Sequence, residues 1–234
     1  MLRVFCTRIP DLSDERVLRS MLPLLTKVRA EKADKYCRNE DKLRSAVSEL
    51  LLRYGYHLVK KSPDVPFLEI AFGEYGKPRF VGYDEPEFNL SHAGNYVACI
   101  LADCEVGIDI EIFSKKMDLN ISKHYFTNAE HQFITEDGMS SQRRFFYIWT
   151  LKESYIKKIG TGLYKPLNSF SVEQQGETYK VFEDGVQQKL FMRLWDHYQD
   201  MSMSICTADN GDELQVLSIE WILFEQLIGF FGIC

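Results

Sequence analysis

From Asp11 to about Lys60 the chain runs almost without glycine or proline, and Arg44, Val47, Leu51, Tyr54 and Leu58 recur at spacings of three and four. That spacing puts them on one face of a helix, so this quarter of the chain is predicted to be helical. Between residues 63 and 86 the texture changes to short runs punctuated by Gly73, Gly76-Lys77-Pro78, Gly82 and Pro86, which are turn signals. Strand-like runs follow at 88–91, 96–102 and 106–112, and residues 2–9 alternate in the same way. A helix is predicted around 128–135, where Thr127-Asn128 can cap and Glu130 adds first-turn negative charge. A stronger one spans about 143–159 and is ended by Gly160-Thr161-Gly162. Beyond it lie strand-like segments separated by Gly176, Asp184-Gly185 and Asn210-Gly211. Helices and strands mix without a regular βαβ alternation, and no glycine-rich phosphate loop follows a strand, so the class is α+β.

At 234 residues the chain falls between one domain and two, taking about 150 residues per domain. A boundary near 105 divides it into an N-terminal α+β half (1–105) and a C-terminal α+β half (106–234) that carries the acidic motifs. Hydrophobic residues at 45% and charged residues at 26% are enough for a real core and exclude disorder. A net charge of −6 argues against a general nucleic-acid binder, so any anion site must be a local basic pocket, and residues 30–44 are the dense basic stretch. The six cysteines form no C-x-x-C pair and no zinc spacing, which fits free thiols in a reducing compartment. No leader-like segment or membrane-length apolar run is present, so a soluble cytoplasmic protein is expected.

Three groups of residues can carry chemistry. In Gly107-Ile108-Asp109-Ile110-Glu111-Ile112 a strand puts the isoleucines on one face and both acids on the other, roughly 7 Å apart. Two anions at that separation repel by roughly 2 kcal/mol at an effective dielectric near 20. The pair is either a solvated strand face or a divalent-cation site, since magnesium takes one or two carboxylates and completes its shell with water and substrate phosphate. On the helix 143–159, Ile148, Trp149, Leu151, Tyr155, Ile156 and Ile159 form a broad apolar stripe, while Glu153 and Lys157 share a face. These two are a surface ion pair or a base and a phosphate clamp. The third group is Gly76-Lys77-Pro78 with Phe88-Asn89-Leu90-Ser91-His92, where His92 is either locally hydrogen-bonded or functional. Ser91 is no hydrolase nucleophile, because no G-x-S-x-G surrounds it.

Taken in order, Gly76-Lys77-Pro78, Phe88-Asn-Leu-Ser-His92, Gly107-Ile-Asp-Ile-Glu111 and Trp149-Thr-Leu-Lys-Glu153-Ser resemble the motifs of the 4′-phosphopantetheinyl transferases of the surfactin-synthetase-activator (Sfp-like) type. The likeness runs from about Arg29 to Val172 and includes Gly160-Thr-Gly162-Leu and Pro166-Leu-Asn-Ser-Phe-Ser-Val172. The resemblance implies two similar α+β halves related by pseudo-two-fold symmetry, with coenzyme A in the cleft between them. It implies transfer of the phosphopantetheine arm to a serine of an apo acyl or peptidyl carrier protein, with release of 3′,5′-ADP, by an enzyme working as a monomer. Asp109, Glu111 and Glu153 would bind Mg²⁺ or Mn²⁺, Glu153 would also accept the serine proton, and Lys157 would act on the departing phosphate. Lys77, Ser91 and His92 align with contacts to CoA, as do Arg29, Lys32 and Ser45, although the family often has lysine where Arg29 stands. Lys152 is left between a helix-surface lysine and a phosphate contact. Carrier docking would fall to an apolar patch drawn from Phe113, Met117, Leu119, Tyr125 and Phe126, for which ordinary core is the other reading. The alternative functions are a magnesium-dependent phosphodiesterase or pyrophosphatase on a nucleotide-like substrate and a CoA-binding module without catalysis.

Overall fold

The structure is a computed structural model and describes residues 1–61, 69–82, 86–113, 117–136, 140–176, 178–196, 198, 200–208 and 218–233. The first sheet contains β1 (Leu2–Arg8), β4 (Glu87–Ala93), β5 (Tyr96–Ala102) and β12 (Ile219–Trp221), in the order β12-β1-β5-β4. The second contains β6 (Val106–Ile112), β7 (Phe170–Gln175), β8 (Thr178–Glu183), β10 (Leu190–Trp195) and β11 (Met201–Ala208), in the order β6-β11-β10-β8-β7, with β9 (Val186–Gln187) on β8. A hairpin of β2 (Ile70–Phe72) and β3 (Pro78–Phe80) stands apart. The class is α+β, and the strand-like runs read from the sequence at 96–102 and 106–112 are strands with those bounds.

The predicted helical quarter resolves into α1 (Glu15–Met21), a 3₁₀ turn at Leu22–Leu24, α2 (Lys27–Asp34) and α3 (Asn39–Lys60). Pro23 stands in the 3₁₀ turn and Thr26 caps α2, so the break falls where a backbone donor is missing and a hydroxyl replaces it. The later helices are α4 (Asn120–Tyr125), α5 (Asn128–Thr135), α6 (Ser141–Ile159) and α7 (Phe224–Phe230). Thr127 and Glu130 close α5 with a reciprocal capping box, and Gly160 ends α6 in the left-handed region at φ +74°. The Asn210-Gly211 turn signal lies outside the described residues.

Alternation within the strands sorts the core into three layers. Phe5, Phe88, Cys99 and Leu101 face α3, where Val47, Leu50 and Leu51 cover them. Val4, Cys6, Ala98 and Ile100 point the other way and meet Ile108, Ile110, Met203 and Ile205 of the second sheet. On that sheet's far side Val181, Met192 and Cys206 pack under Phe145, Leu151 and Tyr155 of α6. The layers therefore run helix, sheet, sheet, helix. The short turn at residue 105 carries the chain from the first sheet to the second, and the last stretch returns to the first: β12 pairs in parallel with β1, and Phe224 and Leu227 of α7 bury against the core beneath α3. Among the described residues no helix is long and apolar enough to cross a membrane.

Candidate active site

The edges of the two sheets meet at β4 and β6, and side chains rather than a backbone ladder join them. Asn89 Oδ1 accepts from the Ile108 amide at 3.0 Å, and Ser91 Oγ accepts from the Ile110 amide at 3.3 Å. These bonds satisfy edge donors of β6 that pair with no strand on that side. They also turn Asp109 towards Ser91, whose hydroxyl donates to Asp109 Oδ1 at 2.9 Å. On the other side α6 lies unusually close to β6, because Gly107 has no side chain to hold the helix off: a Cβ there would sit 2.0 Å from the Ser154 carbonyl oxygen. That approach brings Lys157 onto Asp109.

The Lys157 ammonium donates to Asp109 Oδ1 at 2.6 Å, to Ser91 Oγ at 3.0 Å and to the Ile108 carbonyl at 3.1 Å. Its three protons are thus all placed. One turn earlier, Glu153 is half-buried, and burial and then the charge of Asp109 hold its carboxyl above the ordinary value, with Lys157 pulling the other way. Glu153 thus feels the charge of Asp109 and stands one helical turn from the Lys157 that holds it. Asp109 Oδ2 is buried without a hydrogen-bond partner, which is the donor a cation site would use. Glu111 lies on the same face of β6, half-buried and opposite Ser202. Among the described residues no three acids, histidines or cysteines already stand together as a metal cage. The chemistry of the donor set fits a hard divalent cation held by one or two carboxylates and completed by water and substrate.

At Glu153 opens a cleft lined by residues from both halves of the chain, with Asp109 and Glu111 outside its lining. Glu153, Ile156, Lys157, Gly160 and Gly162 form one wall, and Arg29, Lys32, Lys77, Asn89 and Leu90 stand in the other, with Ile70, Phe72, Tyr75 and Pro78 adding an apolar floor. Lys77 donates to the Lys158 carbonyl at 2.6 Å and so ties the β2–β3 hairpin to the end of α6. Burial lowers the pKa values of Arg29, Lys32 and Lys77, the mark of cations partly stripped of water. His92 remains solvent-accessible, yet the protein packed around its imidazole, and next the charges of Arg44, Lys157 and Lys32, hold its pKa down to about 4. Ser45 is buried in α3 with an unpartnered hydroxyl and does not line the cleft.

Lys152 corrects both sequence readings. It lies neither on the helix surface nor in the cleft: it is 0% exposed, pairs with Glu130 at 2.8 Å, and donates to the carbonyls of Leu167 and Phe170. Of the apolar residues considered for docking, Phe126 is buried core, Phe113, Met117 and Leu119 pack against it, and Tyr125 stands 59% exposed. Asn89 and Gly107, which join β4 to β6 and let α6 approach β6, sit inside motifs whose sequence signal points to their neighbours instead.

Residues 105–206 match the 4′-phosphopantetheinyl transferase superfamily, and residues 13–104 match the family described as 4′-phosphopantetheinyl transferase, N-terminal. The chain is 29% identical over 232 residues to the 4′-phosphopantetheinyl transferase gsp of Aneurinibacillus migulanus, covering 99% of this chain and 95% of that protein. It is 30% identical over 210 residues to a 4′-phosphopantetheinyl transferase of Bacillus subtilis (87% and 92% covered). It is also 30% identical over 200 residues to the 4′-phosphopantetheinyl transferase Sfp of Bacillus subtilis strain 168 (82% and 87%). The chain belongs to the 4′-phosphopantetheinyl transferase family.

Proposed function

We propose that this chain transfers the 4′-phosphopantetheine arm of coenzyme A to a serine hydroxyl of an apo acyl or peptidyl carrier protein, releasing 3′,5′-ADP, with magnesium or manganese as the metal. One observation carries the reading: Glu153 and Lys157 line the same cleft as Arg29, Lys32 and Lys77. An acid–base pair is thus set among three cations, which suits a substrate rich in phosphate.

Asp109, Glu111 and Glu153 are the residues that would hold the metal. When bound, it would neutralise charge on the acids and on the pyrophosphate of CoA. Glu153 takes the proton of the carrier serine, directly or through a water, and its raised pKa makes it a stronger base than an ordinary carboxylate. The serine oxygen bonds to the β-phosphorus as the bond to 3′,5′-ADP breaks. Lys157 puts its charge, or its proton, on the departing phosphate. Arg29, Lys32 and His92 take the 3′-phosphate, while Lys77 and Ser91 complete the contacts to CoA; Ser45, enclosed in α3, makes no direct contact with it. Holding both substrates in one cleft supplies much of the acceleration. The net charge of −6 gives no long-range attraction for an acidic carrier, so docking rests on local apolar contact, to which Tyr125 contributes.

The test is to incubate the protein with CoA, Mg²⁺ and several apo carriers and weigh the carriers intact. A mass gain of one phosphopantetheine arm, lost in EDTA, is expected. Consumption of CoA that needs no carrier points instead to a hydrolase, a reading that the named relatives do not support.

A further inference from the structure

We infer that Glu49 is the positioning residue for the basic wall of the cleft: it fixes the first turn of α2 on α3 and thereby sets where Arg29 and Lys32 stand. The inference rests on the proposed reading of the cleft as the CoA site. Helix α2 has little to hold it in place by packing. Of its eight residues only Ala33 is buried, and the helix is strongly polar all round.

Its attachment is polar and passes through one carboxylate. Glu49 lies on α3 and is 1% exposed. Its Oε1 accepts from the Thr26 backbone amide at 2.7 Å, and its Oε2 accepts from the Thr26 hydroxyl at 2.9 Å. The same Oε2 stands 3.6 Å from Arg29 Nε. Thr26 Oγ1 in turn accepts from the Arg29 amide at 3.3 Å, capping α2. One turn further along α3, Arg53 donates to the Leu24 carbonyl at 2.6 Å, pinning the chain just before the cap. Glu49 therefore grips the start of the helix and one of its two cleft-facing cations at once. A buried carboxylate between Arg29 and Arg53 is compensated, and removing its charge leaves both cations without it. Glutamine keeps the shape but turns one of the two oxygens into a donor, which then meets a donor from Thr26 or Arg29.

The experiment measures kcat and KM for CoA and for dephospho-CoA, which lacks the 3′-phosphate, in wild type, Glu49→Gln, Arg29→Ala and the double variant, with melting temperatures for each. Glu49→Gln should raise KM for CoA about tenfold, equivalent to about 1.4 kcal/mol. It should leave kcat within about twofold and hardly change KM for dephospho-CoA. In the double variant the CoA penalty should exceed that of Arg29→Ala alone by less than the Glu49→Gln penalty, because the two changes share the Arg29 contact while Lys32 is still displaced. Additive penalties, or equal loss with both substrates, make Glu49 merely structural and overturn the inference. So does an unchanged CoA preference in Glu49→Gln when Arg29→Ala lowers it. If Arg29→Ala leaves the preference unchanged, the reading of the cleft fails first and the inference with it. Should Glu49→Gln fail to fold, Thr26→Val removes the hydroxyl's bonds to Glu49 and to the Arg29 amide while keeping the Glu49 carboxylate, and the same split between the two substrates is expected.

Discussion

Replacing Gly107 with alanine places a methyl group where α6 already lies. Its carbon would sit 2.0 Å from the Ser154 carbonyl oxygen, 2.5 Å from the Lys158 amide nitrogen and 3.1 Å from the Lys157 carbonyl carbon. Unstrained contacts between such atoms begin at about 3.5 Å. All three belong to the backbone of the helix, so no side-chain rotation relieves the overlap. Helix and strand must part by more than about 1 Å. Overpacking of this kind costs roughly 1–3 kcal/mol. At about 2–4 °C per kcal/mol for a chain of this size, the melting temperature should fall by several degrees. Turnover should suffer more. The displaced turns carry Glu153 and Lys157, and the ammonium of Lys157 now rests 2.6 Å from Asp109. A misplacement of about 1 Å can cost about a hundredfold in rate. Initial rates of carrier loading by intact mass, at saturating CoA and carrier, should fall by that order, with calorimetry reporting Tm on the same samples. A Gly107→Ala protein with wild-type rate and wild-type Tm would refute the claim that close approach of α6 to β6 assembles the site.

Three further outcomes follow from the same geometry. Glu153 has a pKa raised above its ordinary 4.5, so its contribution to stability is present below that pH and is lost as pH rises through the folded value; Glu153→Gln should therefore be at least as stable as wild type at pH 7 and converge with it in acid, while losing orders of magnitude in turnover. Denaturant titrations across pH check this, and a variant less stable than wild type at pH 7 contradicts it. His92, held at about 4, is neutral in the free protein at pH 7, so meeting a phosphate should draw a proton onto it; calorimetry of CoA binding in two buffers of different ionisation enthalpy should register proton uptake that His92→Ala abolishes, and equal uptake in the two proteins removes His92 from the phosphate. Lys152→Met leaves the buried Glu130 with its two amide donors but no cation, which should cost roughly 3–5 kcal/mol in urea unfolding, whereas adding Glu130→Gln should recover part of the loss; no recovery means that packing, not the stranded charge, sets the cost.

What could be read in advance depended on how far apart the partners lie. Strand β6 was legible because alternation is local, β5 because a short unbroken apolar run is a local signal too, and α5 because its cap spans Thr127 to Glu130. The acids of β6 and the Glu153–Lys157 spacing were visible for the same reason. Their mutual approach was expected from the family resemblance alone: it depends on Gly107 meeting Ser154 and on Ser91 meeting Asp109, contacts that no periodicity encodes. The role of Glu49 leaves no local mark in the sequence, since its partner Thr26 stands 23 residues earlier. Lys152 misled in a simpler way. Charged residues on helices usually face water, and this one points inward because Glu130 and two carbonyls wait for it. The return of β12 to the first sheet had no counterpart in the sequence reading, because a three-residue strand is too short to leave a pattern.

That return has a consequence for how the molecule is made. Arg3 grips Glu220 through two parallel bonds of 2.7 and 2.6 Å, although the two residues are 217 apart in the chain. During synthesis β1, β4, β5 and α3 emerge early and can collapse together, but the outer edge of β1 stays bare until residues 219–221 leave the ribosome. Every described residue lining the cleft lies between Thr26 and Gly162, so all of these are synthesised before β12 can pair with β1. An open strand edge is a template for pairing with another chain, and it is most dangerous in that interval. The Arg3–Glu220 fork ends the exposure by selecting one register, since a slip of a single residue would turn Glu220 to the opposite face. A ribosome that stalls or terminates just short of β12 would therefore release a chain with all its cleft residues and an unprotected edge, prone to association before it can work.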